Sequence, residues 1–182
     1  LLTIKNIFDN TDLLTDDSAN EKSIKILSSN GELNNYDIIH YATHAIVIDE
    51  VPELNAIILS QNNNNEDDGY LTLKEIAELN ISADFVNLSA CNTGIGDVSI
   101  SGGVSGFANS FFVAGAKSIS VSLWPIDDIA SSVFMESFYT KIAEGEDYSE
   151  SLINTKRDFI AGEYGEEYKK PYYWAPFVYY GK

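Results

Sequence analysis

The sequence predicts an α/β protein with a mainly parallel sheet covered by helices on both faces. Three observations carry that prediction. Short apolar runs alternate with stretches of helical periodicity. The central runs, Ile38 to Thr43, Phe85 to Ser89 and Ser118 to Leu123, are apolar without strict alternation, as strands buried on both faces are. With 182 residues and 45% apolar content, the chain can bury one proper core, so a single domain over residues 1–182 is expected.

Along the chain, Leu1 to Phe8 reads as a helix remnant and Asp12-Leu-Leu-Thr15 as a short edge strand. Ser18-Ala-Asn-Glu21 reads as a capping box, opening a helix that ends near Asn30-Gly31. After the strand from Ile38 to Thr43 comes a loop from Ile46 to Leu54, then a short strand from Ala56 to Leu59. Gln61 to Gly69 is a polar, low-complexity loop, after which Tyr70-Leu71 resumes a hairpin. Its Asn62 to Asp68 side chains fit no calcium-loop spacing, so solvated loop is the reading taken. Thr72-Leu-Lys-Glu75 is a second capping box and predicts a helix through Leu79.

The strand from Phe85 to Ser89 leads into a glycine-containing loop from Asn92 to Gly103. Val104, Phe107, Phe111 and Phe112 then predict a helix stopped by Gly115. Ser101-Gly-Gly-Val-Ser-Gly106 lacks the ending of a phosphate loop and reads as a mobile loop entering this helix. Trp124 to Asp128 is a turn feeding a helix with Ile129, Val133, Phe134, Phe138 and Ile142 on one face. A further helix spans Ser149 to Ile160, and Trp174 to Tyr180 closes the chain as a strand, with Pro176 marking an edge or a start.

Composition narrows the function. A formal net charge of −17 with no basic cluster beyond Lys169-Lys170 argues against nucleic-acid binding. One cysteine and two histidines argue against a disulfide framework and a metal site, and no cofactor is expected. No apolar run is long enough to span a membrane and no signal peptide is visible, so a reducing cytoplasm suits the free thiol. The chain begins at Leu1 rather than Met and reads as part of a longer one.

Two segments place chemistry at the same end of neighbouring strands. Tyr36-Asp-Ile-Ile-His-Tyr-Ala-Thr-His44 ends on a histidine, and Asp84-Phe-Val-Asn-Leu-Ser-Ala-Cys91 reaches the lone cysteine. A single cysteine is by default a buried thiol. Past a strand end on the ligand-binding rim of an α/β sheet, it instead suits a thiolate paired with an imidazole. His44 takes the general-acid role, and His40, inside the strand, reads as a core or second-layer histidine. Trp124 to Asp128 lies beyond a third strand end. Trp124 is placed on a pocket wall, with Asp127 or Asp128 capping the helix and the other at the pocket floor.

These segments together resemble the CHAT domain, a caspase- and separase-related peptidase domain often found behind tetratricopeptide repeats. The match runs through Tyr36 to His44, Asn87-Leu-Ser-Ala-Cys-Asn-Thr-Gly94 and Gly102-Gly-Val-Ser-Gly-Phe-Ala-Asn109 on to Ala114-Gly-Ala116. It continues through Ser122-Leu-Trp-Pro-Ile-Asp-Asp128 and Pro171-Tyr-Tyr-Trp-Ala-Pro-Phe177. The resemblance implies a caspase-like three-layer sandwich, lacking its first strand upstream of Leu1, and a His44–Cys91 dyad in a cysteine endopeptidase. It implies an oxyanion hole from the Ala45 and Cys91 backbone amides, and a protein or peptide substrate. Asp128 matches a separase acidic residue that recognises Arg before the scissile bond. A regulatory protein or upstream repeats are the implied partners. Relatives usually carry Gly where this chain has Ala45, so a φ > 0 requirement there would strain it. An inactive interaction module of the same fold is the alternative.

Overall fold

Pairing of the two longest strands organises the molecule. The computed structural model describes residues 2–48, 50–61, 67–92 and 103–181. Strand β1 (Ile38–Ile46) is antiparallel to β2 (Ala56–Ile58), which pairs with β3 (Tyr70–Thr72). On its other side β1 runs parallel to β4 (Phe85–Asn92), from Ile38↔Phe85 to Ala45↔Asn92. Strand β5 (Ser118–Ser122) continues the parallel centre through Val86↔Ile119, Asn87↔Ser120 and Leu88↔Val121. With β6 (Phe177–Gly181) the six-stranded mixed sheet has the order β3-β2-β1-β4-β5-β6. Helices flank it, an α/β fold consistent with the caspase-like sandwich.

The helices are α1 (Leu2–Lys5), α2 (Glu21–Ser29), α3 (Leu73–Ala77), α4 (Gly103–Ala114), α5 (Asp128–Ala143), α6 (Tyr148–Ala161) and α7 (Pro171–Trp174). The chain forms two compact units. One comprises Leu14–Leu123 with Tyr180–Lys182, the other Leu1–Leu13 with Trp124–Tyr179.

In the first unit, one sheet face is apolar and buried. Tyr41 and Ala45 of β1, Val86 and Leu88 of β4, and Ile119 and Val121 of β5 share a core with Ile24, Ile76, Phe107 and Phe111. The Tyr41 and Phe111 rings lie 5.6 Å apart. Helix α4 supplies Val104, Phe107, Ala108, Phe111 and Ala114 at three- and four-residue spacing, one face of a helix turned to the sheet. It stops at Gly115, whose φ of +112° suits glycine. A Cβ there would strike the Ile81 carbonyl, and the Ile81 N–H bonds the Ala114 carbonyl at 2.9 Å. That contact joins the helix end to the approach to β4.

The β2–β3 hairpin, which pairs with β1, is tied down by a partly buried ion cluster. Glu21 is only 1% exposed and accepts the Gly69 N–H at 3.0 Å. The Lys25 ammonium reaches Glu21 at 2.5 Å, Glu75 at 2.9 Å and Asp67 at 3.5 Å. Glu75 also closes the expected capping box with Thr72. Burial pushes the Glu75 carboxyl upward, but hydrogen bonds from Lys25 and Thr72 outweigh it and hold the pKa at about 2. Burial raises the Glu21 pKa instead.

The second unit packs α5 and α6 around Phe134, Phe138 and Phe159. Phe177 stacks on Phe134 at 4.0 Å, and Lys141 pairs with Asp158 at 2.7 Å.

Several local expectations change. Asn20 caps α2 by accepting the Ser23 N–H at 2.8 Å, while Ser18 instead closes a 3-10 turn started by Thr15. Asp12 to Thr15 is not a strand. On α5, Ile129 is 70% exposed, and the buried set is Ala130, Phe134, Met135, Ser137, Phe138 and Tyr139. Trp174 belongs to α7, with the last strand starting just after Pro176. Both long strands outrun their expected ends, so His44 and Cys91 lie inside them. Residues 93–102 and 62–66, holding most of the expected glycine and asparagine loops, lie outside the described residues.

Truncating the fully buried Phe111 (Phe111→Ala) is expected to cost about 3–5 kcal/mol in urea unfolding, against under about 1 kcal/mol for the exposed Val113→Ala. Glu75 has a depressed pKa, so its contribution is present above the unfolded value of 4.5 and is lost as pH falls towards about 2. Glu21, shifted upward, acts in the opposite sense and favours the folded state at low pH. The Lys25→Met variant is expected to show a shallower loss of stability between those pH values than wild type; an unchanged acid limb would contradict the cluster's role.

Candidate active site

The ladder itself assembles the candidate dyad. His44 and Cys91 are register partners, the third-last residue of β1 beside the second-last of β4. Neighbouring strands sit about 4.8 Å apart, so the two backbones are as close as separate strands come. The His44 side chain is exposed. Both residues sit at the C-terminal end of the parallel centre, the end where open α/β sheets place ligands.

Ladder alternation fixes which backbone groups meet there. The Phe85 N–H donates to the Asp37 carbonyl at 3.0 Å, so odd-numbered amides of β4 turn towards β1. On β2, the Leu59 N–H donates to the Gly69 carbonyl at 2.8 Å, which turns odd residues to β3 and even ones to β1. His44 and Ile46 therefore bond towards β2, and Ala45 towards β4. The two alternations agree. His44↔Cys91 pairing consists of the Cys91 N–H donating to the Thr43 carbonyl and the Ala45 N–H donating to the Cys91 carbonyl. Thr43 is also fixed from the β2 side, its hydroxyl donating to the Ile58 carbonyl at 2.5 Å.

Ala45 is an ordinary strand residue, only 3% exposed. Among the described residues Asp16 is the non-glycine position with positive φ, so Ala45 carries no left-handed strain. A small apolar cavity of about 20 Å³ adjoins it, lined by Val47, Leu88, Val104, Phe107 and Val121, and is too small for a substrate side chain.

Behind the dyad the same pleats carry a polar row, which the sequence reading missed. His40, Asn87 and Ser120 are aligned across β1, β4 and β5. The Asn87 amide nitrogen lies 3.0 Å from His40 Nδ1, so it donates there and leaves the ring proton on Nε2. Burial lowers the His40 pKa to about 4, which keeps the imidazole neutral at physiological pH. His40 is partly buried and bonded within the sheet, in keeping with the core or second-layer reading. The available signal was Asn87 itself, a polar residue in the apolar run Phe85-Val-Asn-Leu88.

Trp124, Asp127 and Asp128 belong to the second unit. The Trp124 indole N–H donates to the Tyr172 carbonyl at 3.0 Å, and the Tyr172 hydroxyl to the Pro125 carbonyl at 2.8 Å. Asp127 is the N-cap of α5, accepting the Ala130 N–H at 2.9 Å. Asp128 begins the helix and is exposed. No group of three or more ligating side chains is placed for a metal ion among the described residues.

The six-stranded mixed sheet with its parallel centre and flanking helices is consistent with a caspase-like sandwich. The pattern of the CHAT domain matches residues 1–182, and the chain belongs to that family. It is also similar to a mouse (Mus musculus) protein, tetratricopeptide repeat protein 28, 30% identical over 108 residues. That stretch is 59% of this chain but 4% of the mouse protein. No described helix is long and apolar enough to cross a membrane.

Proposed function

We propose that this chain is a cysteine endopeptidase with a His44–Cys91 dyad. The supporting observation is the register pairing of these two residues at the C-terminal end of adjacent parallel strands. The Cys91 thiolate attacks the scissile carbonyl, and the new C–O⁻ is held by the Ala45 and Cys91 amides. Collapse of that intermediate breaks the C–N bond, and His44 protonates the departing amine. Water, deprotonated by His44, then releases the acid and restores the thiol. None of these steps calls for a metal or cofactor.

The substrate side is proposed from the acidic turn. Asp127 is occupied as a helix cap, which leaves the exposed Asp128 as the carboxylate for a basic side chain before the scissile bond, with Trp124 also assigned to the substrate side. The repeat protein among the relatives supports control by upstream repeats or a regulatory partner. The cytoplasm is the proposed compartment, with a protein substrate. One observation favours an inactive interaction module instead: the two amides nominated for the oxyanion hole are bonded into the ladder.

The test is cleavage and peptide-electrophile labelling of the full-length parent with its activator. Labelling by an Arg-ended probe is expected, with loss of label and at least about 10³-fold less cleavage for Cys91→Ala. Cleavage unchanged in that variant contradicts the reading. Asp128→Asn is expected to weaken Arg-probe labelling relative to a Leu probe without changing stability. Asp127→Asn keeps the cap, whereas Asp127→Ala lowers stability by about 1 kcal/mol with the Arg/Leu ratio unchanged.

A further inference from the structure

We propose that the end of the β1–β4 ladder is a latch, holding the site without an oxyanion hole until the last pairs of β4 separate from β1. The proposal rests on the peptidase reading above and specifies its regulation.

An oxyanion hole needs N–H donors within about 2.7–3.1 Å of the developing charge. Each backbone amide has one hydrogen to give. By the alternation that the Phe85 N–H to Asp37 carbonyl bond sets, the register gives the Ala45 N–H to the Cys91 carbonyl and the Cys91 N–H to the Thr43 carbonyl. The two donors assigned to the hole are therefore consumed by the pairing that brings the dyad together. Dyad proximity and oxyanion binding compete for the same groups.

The two strands are held unequally. β1 is fixed on its far side through His44↔Ile58, Ala45↔Ile57 and Ile46↔Ala56, with the Thr43 hydroxyl adding a bond to Ile58. Among the described residues the register of β4 with β5 runs from Val86 to Leu88. From Ser89 onward the ladder pairs of β4 among the described residues are those with β1, through Ala45↔Asn92. β4 is the strand that peels, and β1 stays with the hairpin behind it. Loss of two net hydrogen bonds makes the open form about 5- to 150-fold rarer than the closed one. Such a closed site is silent at rest yet within reach of a partner that draws the β4 end away.

The test follows the Ala45 and Cys91 amides by NMR in the intact protein, before and after reaction with a peptide aldehyde. The thiol adds across the aldehyde, forming a C–S bond while the carbonyl oxygen takes the proton, so this oxygen probes the hole. The resting protein is expected to show both amides protected and a scalar coupling across the Cys91 N–H to Thr43 carbonyl bond. In the adduct that coupling disappears. Fast exchange of either amide at rest overturns the latch, as does an adduct that retains the coupling. A Cys91 alkylated by iodoacetamide that never takes the aldehyde, even in about thousandfold excess, also overturns it, because a latch opens part of the time. Failure of Cys91 to react with either reagent overturns the peptidase reading itself.

Discussion

The parallel pairing of β1 with β4 is the interaction on which the fold and the candidate site both depend. Its eight register pairs run from Ile38↔Phe85 to Ala45↔Asn92. Hydrogen bonds alone do not choose that register, because a shifted ladder makes similar bonds. The apolar face does choose it. Tyr41, Ala45, Val86 and Leu88 all enter one core, and a slip of a single residue would turn one strand's set away from α4. His44 and Cys91 sit side by side because the hydrophobic pattern below them permits one alignment.

The other face of the pleats shows what that alignment costs. His40, Asn87 and Ser120 form a row across three central strands, with Asn87 and Ser120 each 1% exposed. Buried polar groups destabilise unless they bond one another. The Asn87–His40 bond meets that condition for those two residues and favours the neutral ring, while the Ser120 hydroxyl has no bonded partner among the described residues. The Asn87–His40 bond adds one directional contact to a register otherwise set by shape.

The strand order of types was legible in the sequence because local composition decides it: β-branched runs, capping residues and Gly115 each act within a few positions. Thr72-Leu-Lys-Glu75 formed the box its spacing implied. Strand ends were less legible. β1 and β4 continue to Ile46 and Asn92 because each gives the other a bonding partner, a non-local effect that carries His44 and Cys91 inside the sheet. Helix α2 is capped two residues after the expected Ser18 because Asn20 bonds the Ser23 amide and Glu21 is drawn into the partly buried ion cluster. Trp174 joined a helix turn rather than a strand, its indole N–H bonding the Lys169 carbonyl at 3.1 Å. Of the candidate site, the residue types were readable. Their pairing, and the use of the Ala45 and Cys91 amides in it, follows only from the ladder.

Juxtaposition of His44 and Cys91 is the central claim, and the chain's single cysteine makes it directly measurable. In the His44→Cys variant the new thiol has Cys91 as its sole intrachain partner. Register neighbours about 4.8 Å apart fall within the Cα separation a disulfide spans. Mild oxidation is expected to close an intrachain disulfide in His44→Cys, seen as a loss of two mass units and of both free thiols. The Ala42→Cys control, two residues down β1 and opposite Ser89, is expected to oxidise far more slowly. Rapid bridging in Ala42→Cys with none in His44→Cys would contradict the register and the dyad built on it.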